Sequence, residues 1–135
     1  MLEYVQKCFR HYVDFSGRAR RKEYWFFVLF NLLVYLALMT LCGIFIALES
    51  VEGIVLTYVL IVIFELGTLL PGIAVTVRRL HDLDKSGGFF FISFIPLGGP
   101  IWILVQMCRA GTVGENRFGV DPKAIPTSNE VESYN

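Results

Sequence analysis

The residues of this 135-residue chain that could do chemistry gather in a few places. Arg78, Arg79, His81 and Asp82 end an apolar helical pattern, and Asp84, Lys85, Ser86, Gly87 and Gly88 follow as turn residues. On a helix Arg78, His81 and Asp82 lie three and four residues apart, so they can meet on one polar face with Asp82 as the i,i+4 partner of Arg78. Adjacent His and Asp invite a metal or phosphohydrolase reading, but such a site needs further ligands, and the second histidine is the distant His11. A second cluster holds Arg18, Arg20, Arg21, Lys22 and Glu23, and arginine forks suit carboxylates and phosphates. Glu65 stands alone inside an apolar run. No serine or cysteine occupies a nucleophile motif, and no glycine-rich loop has P-loop or dinucleotide spacing. Catalytic residues, metal ligands and cofactors are therefore not expected, and the chain is read as a non-enzyme.

The elements that must position these groups follow from composition. With 55% apolar residues, 18% charged residues and a mean hydropathy of +0.58, the chain falls in the membrane class. A formal net charge of zero conceals long uncharged runs between basic clusters. Met1 to Phe15 has charges every few positions and no apolar core, so a cleavable signal is not expected and the first apolar run serves as an anchor. Cys8, Cys42 and Cys108 are far apart and without a C-x-x-C pair, and read as small apolar residues.

Residues 1–15 place Leu2, Val5, Phe9 and Tyr12 at helical spacing, with Glu3 and Lys7 in the favoured i,i+4 order, which predicts an amphipathic helix. An interfacial position with the aromatic face down is the first reading, and docking on the protein's own loops is the alternative. Tyr24–Leu48 is uncharged and extends roughly 37 Å at about 1.5 Å per residue, against about 30 Å of hydrocarbon. The acidic turn at Glu49–Gly53 then forces an antiparallel hairpin with a second span, 54–77. The cost of inserting Glu65, about 2.5–3.5 kcal/mol, is covered by its aliphatic neighbours. Its carboxyl either faces a bundle interior, cavity or partner, or is protonated and bonded to backbone, Asn31 or Thr40.

The third run, 87–108, carries Pro96, Gly98, Gly99 and Pro100 at its middle. Two readings stand: a span kinked at the prolines, and a re-entrant hairpin with arms at 88–95 and 101–108. With the amino terminus inside, a full span puts Arg109, Arg117 and Lys123 outside, whereas the hairpin keeps all twelve Lys and Arg inside. Against the hairpin, irregular backbone at membrane depth needs protein cover. The full span is adopted, giving an all-α integral membrane protein with an amphipathic first helix, three transmembrane helices, and a polar, turn-rich 111–135 tail ending in disorder.

Three stretches together are similar to a family of small bacterial inner-membrane proteins, domain of unknown function 805. They are FSGRARRKEYWFF at 15–27; Pro71 with Arg78, Arg79, Leu80, His81, Asp82, Ser86 and Gly87; and GENRFGVDP at 114–122, which contains Asn116, Arg117 and Asp121. Gly88 departs from the aromatic residue expected there. The resemblance implies an inner-membrane protein of about three spans with no established activity.

The amino terminus is thus expected in the cytoplasm and the carboxyl terminus in the periplasm. The basic clusters are expected to form one headgroup-level patch, with Glu23 pairing with Arg78 or Arg79 and His81 hydrogen-bonding at headgroup depth. Each basic residue near an anionic leaflet gains about 1 kcal/mol, so membrane lipids are the expected partners. A second copy or another membrane protein stands beside them, and nucleic acid is not expected. The leading reading is an interaction protein, oligomeric or accessory. The alternative is a transport or channel-forming oligomer that uses Glu65.

Overall fold

The computed structural model describes residues 2–124, and the disorder expected at the end of the tail falls outside them. The elements are α1 (Leu2–Arg10), α2 (Arg21–Ala47), α3 (Val51–Asp82), a 3-10 helix (Gly87–Phe94) and α4 (Gly98–Cys108). The described residues contain no strand; a single bridge joins Asn116 and Gly119.

Helices α2 and α3, of 27 and 32 residues, form the expected hairpin. Glu49 takes a positive φ of 53°, and the Ser50 hydroxyl caps α3 by accepting from the Gly53 amide at 3.3 Å. Between the helices Phe64 meets Phe30 and Tyr35 at ring separations of 6.2 and 6.1 Å. The hydroxyls of Thr57, Thr68 and Thr76 donate to carbonyls one turn back, at Gly53, Phe64 and Gly72, so their polar atoms are satisfied without water. None of the most apolar stretch of α2, and 17% of that of α3, is buried within the chain. Two long apolar helices left this bare need hydrocarbon as their solvent.

The third run is two helical pieces rather than one continuous helix. Pro96 ends the 3-10 helix, because it has no amide to donate and restricts the residue before it. Pro100 falls in the first turn of α4, where a missing amide costs little. The prolines therefore bound a reversal instead of kinking one helix. Leu97 takes a φ of 64° at the reversal, and Gly99 lies where any Cβ would strike the Ile92 carbonyl, so the arms cross at glycine. α4, with 11 residues, extends about 16 Å, half of a hydrocarbon core.

Both ends of this segment meet the end of α3. Gly87 packs beside Val77 and His81, while the Arg109 carbonyl accepts from Arg79 and the Thr112 amide donates to the Asp82 carbonyl at 2.8 Å. The run doubles back, and the segment after it lies at the same end of the α2–α3 hairpin as Arg18 and Arg20, opposite the Glu49–Gly53 turn. The protein cover that weighed against a hairpin is supplied on one side by Leu80, Ile103 and Met107, with Tyr24, Phe90 and Trp102 packed around them.

Helix α1 is shorter than 1–15, and its buried face is Val5 and Cys8 rather than the Leu2, Val5, Phe9 and Tyr12 stripe. It docks on α2: Tyr4 stacks on Phe26 at 5.4 Å, and Phe9 meets Phe27 and Phe30 edge-on. Leu2 is left 65% exposed, and the contacts α1 makes within the chain are with a helix rather than with the loops.

Candidate functional site

The three charged stretches meet around Asp82. Helix α3 runs on to Asp82 and ends there, and this holds the carboxylate of Asp82 nearly fully buried between two arginines. Arg18 approaches Oδ1 with Nε at 3.0 Å and Nη2 at 2.9 Å, and Arg79 pairs with Oδ2 through Nη1. Asp82 thus pairs with Arg79 three residues earlier and with Arg18 from the connection before α2. The expected Arg78 partner points elsewhere.

Arg18 then draws in the tail. Its Nη1 donates to the Gly114 carbonyl at 2.6 Å and the Gly119 carbonyl at 3.3 Å, and Nη2 donates to the Thr112 carbonyl at 2.6 Å. Gly111 sits so close that a Cβ would collide with the Asp82 carboxylate. Arg20 donates to the Pro122 carbonyl, Arg21 to the Cys108 carbonyl at 3.2 Å, and Arg79 Nη2 to the Arg109 carbonyl. Charged forks, with their fixed planar donors, are matched here to carbonyls at segment ends and in the connections between elements.

The tail motif is built to be gripped. Asn116 donates to the His81 carbonyl at 2.9 Å and to the Thr112 hydroxyl at 2.8 Å, and Arg117 donates to the Asp84 carboxylate at 3.1 Å. Asp121 accepts the amides of Lys123 and Gly114, which holds its carboxyl below the usual range. The ring of His81 stacks on Phe118 at 4.0 Å and an interplanar angle of 3°, and its Nδ1 donates to the Gly17 carbonyl at 3.2 Å. The expected headgroup-level role of His81 becomes a joint between three segments of the chain.

Glu23 is fully buried at the start of α2. Lys7 of α1 is its near partner at 2.7 Å; Arg78 lies at 3.9 Å, and Arg79 belongs to the Asp82 set. Arg78 Nε and Nη2 and Glu23 Oε2 are buried with no hydrogen-bond partner among the described residues, although Arg78 Nη1 lies 3.9 Å from Glu23 Oε2. Burial of Cys8 beside Arg78 pushes its thiol up to about 11. Lys7 was missed because its i,i+4 match with Glu3 offered a nearer partner. Thr112 was missed because nothing in its neighbourhood sets it apart; Phe118 lies inside a quoted motif without a role.

Two hollows lie along α2. One, of about 420 Å³, is walled by Trp25, Phe26, Leu29 and Cys108, with Arg21 and Lys22 at its rim. The other, of about 340 Å³, is a groove between α2 and α3 that includes Asn31, Tyr35, Glu65 and Thr68. Asn31 donates to the Phe27 carbonyl at 2.7 Å and Thr40 to the Leu36 carbonyl at 2.7 Å, so neither is the bonding partner expected for the exposed Glu65.

Two bare apolar helices of membrane length, tied together at one end by a buried knot of charge, define an integral membrane protein. The family described as "Protein of unknown function (DUF805)" matches residues 12–120, and the chain belongs to it. The chain is 41% identical over 122 residues to inner membrane protein YhaI of Escherichia coli (strain K12), covering 90% of this chain and 97% of that one. It is 42% identical over 127 residues to inner membrane protein YhaH of the same strain, covering 93% of this chain and 100% of that one. A third relative, the uncharacterized protein YiiR, is 27% identical over 147 residues, covering 90% of this chain and 94% of that one. No solved structure matches the chain.

Proposed function

We propose that this chain is an inner-membrane interaction protein, an accessory subunit or oligomer rather than an enzyme, that engages anionic phospholipid at the cytoplasmic leaflet. The observation that carries the reading is the hollow below Arg21 and Lys22, whose apolar walls of Trp25, Phe26, Leu29 and Cys108 suit an acyl chain. The larger basic patch expected from sequence is not the binding surface in this reading, because Arg18, Arg20 and Arg79 spend their donors on the chain itself. Arg21 and Lys22 stay exposed, about one helical turn from Trp25 and Phe26 of that wall. At about 1 kcal/mol each, the pair favours an anionic over a zwitterionic headgroup by about 2 kcal/mol, roughly thirtyfold.

The same reading takes two full spans and a re-entrant segment, with both described ends of the chain in the cytoplasm. All twelve Lys and Arg then lie on one side and the acidic turn at Glu49–Glu52 on the other. Native mass spectrometry with mixed phosphatidylglycerol and phosphatidylcholine tests the site. Retained phosphatidylglycerol should fall for the Arg21→Gln/Lys22→Gln variant, and equal retention by variant and parent would remove the reading. A cysteine at Val113 that is labelled from outside intact cells would overturn the topology. The second reading, transport by an oligomer, draws on the exposed carboxyl of Glu65 within the α3 span. Ion flux in liposomes that is lost on Glu65→Gln would establish it in place of the first.

A further inference from the structure

The groove between α2 and α3 combines features that an apolar bundle does not need. Along α3 it runs from Thr76 to Glu65, about 16 Å, and Phe90 of the 3-10 helix closes its end near the charged knot. Glu65 lies roughly 21 Å from Val51 and roughly 26 Å from Asp82 along the helix, close to the middle of the bilayer. Three polar side chains are collected at that depth. Asn31 gives one amide hydrogen to the Phe27 carbonyl and keeps a second donor and its Oδ1, Tyr35 brings a phenol, and Glu65 brings a carboxyl that no described side chain bonds. A carboxyl that carries its proton donates as well as accepts.

Depth restricts the occupant. A phospholipid or charged amphiphile keeps its polar group at the interface, far from Glu65. A transmembrane helix, about 10 Å across, covers the rim of a hollow of about 340 Å³ without entering it. What fits is an uncharged, lipid-dissolved molecule whose polar group accepts hydrogen bonds at the bilayer centre. The aromatic walls, Phe27, Tyr35 and Phe90, suit a flat ring. We propose that the α2–α3 groove is a binding site for a prenylquinone, with Glu65, Asn31 and Tyr35 donating to its ring carbonyls and the isoprenoid tail leaving sideways into lipid. The site is separate from the Arg21 and Lys22 hollow and does not depend on it.

The test uses the full chain in lipid nanodiscs with a photoreactive ubiquinone analogue, and the labelled peptides read by mass spectrometry. Label should fall on α2 and α3 around Asn31 and Glu65 and be displaced by excess decylubiquinone but not by phosphatidylglycerol. Glu65→Leu and Asn31→Leu should each weaken displacement about tenfold, the worth of one buried hydrogen bond to a ligand. Glu65→Gln, which keeps a donor, should stay within about threefold of the parent. Both changes at position 65 remove an acid from an apolar span, so insertion is not at risk. Label scattered over the lipid-facing surface, displacement by phosphatidylglycerol, or indifference to Glu65→Leu would each overturn the proposal. So would crosslinking of Glu65 to a second copy that excludes the quinone. The Arg21→Gln/Lys22→Gln variant should bind quinone like the parent, so this proposal and the lipid reading fail or stand separately.

Discussion

Replacing Asp82 by asparagine should release the tail from the membrane domain while leaving the α2–α3 hairpin inserted. The Asp82 carboxylate is the one anion between Arg18 and Arg79, and all three side chains are almost entirely buried. Asparagine keeps an acceptor but no charge, so two buried guanidinium groups lose their compensation. Breaking a buried pair by removing one partner costs about 3–5 kcal/mol, because the remaining charge cannot recover its hydration. Part of that cost can be escaped. If Arg18 turns out to water it surrenders its bonds to the carbonyls of Thr112, Gly114 and Gly119, and the segment they hold detaches. Hydrogen exchange in detergent should therefore show the amides of Thr112, Asn116 and Gly119 losing protection, with α2 and α3 unchanged. Arg18→Gln should expose the same amides. The Asp82→Asn/Arg18→Gln pair should cost less than the sum of its members by about 2 kcal/mol, within the range for groups in one ion-pair network. Strict additivity, or a tail equally protected in all three variants, would show that the tail is held by something other than this knot.

Two further outcomes follow from the groups beneath α1. Glu23→Gln should couple to Lys7→Gln by about 1 kcal/mol in a thermal-stability cycle, since Lys7 is partly exposed, and should be additive with Arg79→Gln, whose partner is Asp82. Coupling to Arg79 stronger than to Lys7 would contradict the assignment. At pH 8 a thiol held at about 11 is about one part in a thousand thiolate, so Cys8 should resist maleimide in the folded chain while the exposed Cys108 is labelled. The sign follows from the raised value: the folded state holds its proton more tightly, so what Cys8 contributes is intact below pH 9.0 and is lost as pH rises towards 11. Equal labelling of Cys8 and Cys108 in folded protein would mean that α1 is not docked.

The hairpin was legible because both of its signals are long: an uncharged run of membrane length, an acidic turn, and a second run. The expected second span stopped at residue 77, and α3 continues through Asp82, because the charged residues after Val77 are paired inside the protein instead of lying in the headgroup layer. The convergence of Arg18, His81 and Asp82 was readable from their shared end of the hairpin. Their pairing was not, since Arg78 and Arg79 differ by one position and 100° of helix, and only tertiary contact decides which one turns to Asp82. The run 87–108 was expected as one kinked helix, and its backbone is instead broken in the middle. Pro96 was read as a kink, yet with a reversal at Leu97 and a glycine crossing at Gly99 the chain has everything a turn requires. The positive-inside count favours the hairpin and the need for cover weighs against it; Leu80, Ile103 and Met107 supply such cover on one side.

The order of the three motifs along the chain acquires a physical reason once the knot is seen. A segment that doubles back has both ends to fasten at one end of the hairpin, and here one end follows Asp82 directly while the other returns through Arg109 and Thr112. Closing so large a loop costs entropy that grows slowly with its length, and a few charge-assisted bonds at its base can offset it. Arg18 adds a third fastening from ahead of α2, tying the start of the hairpin to its end. Arg18, Arg20 and Arg79, expected to form a basic surface, thus clasp the fold, while Arg21 and Lys22 remain exposed. Arg21 shows both uses at once: its Nη1 holds the Cys108 carbonyl at the end of α4 and so shapes the hollow that it guards. Loosening the clasp at Asp82 should therefore reach that hollow through α4, although none of its lining residues touches Asp82.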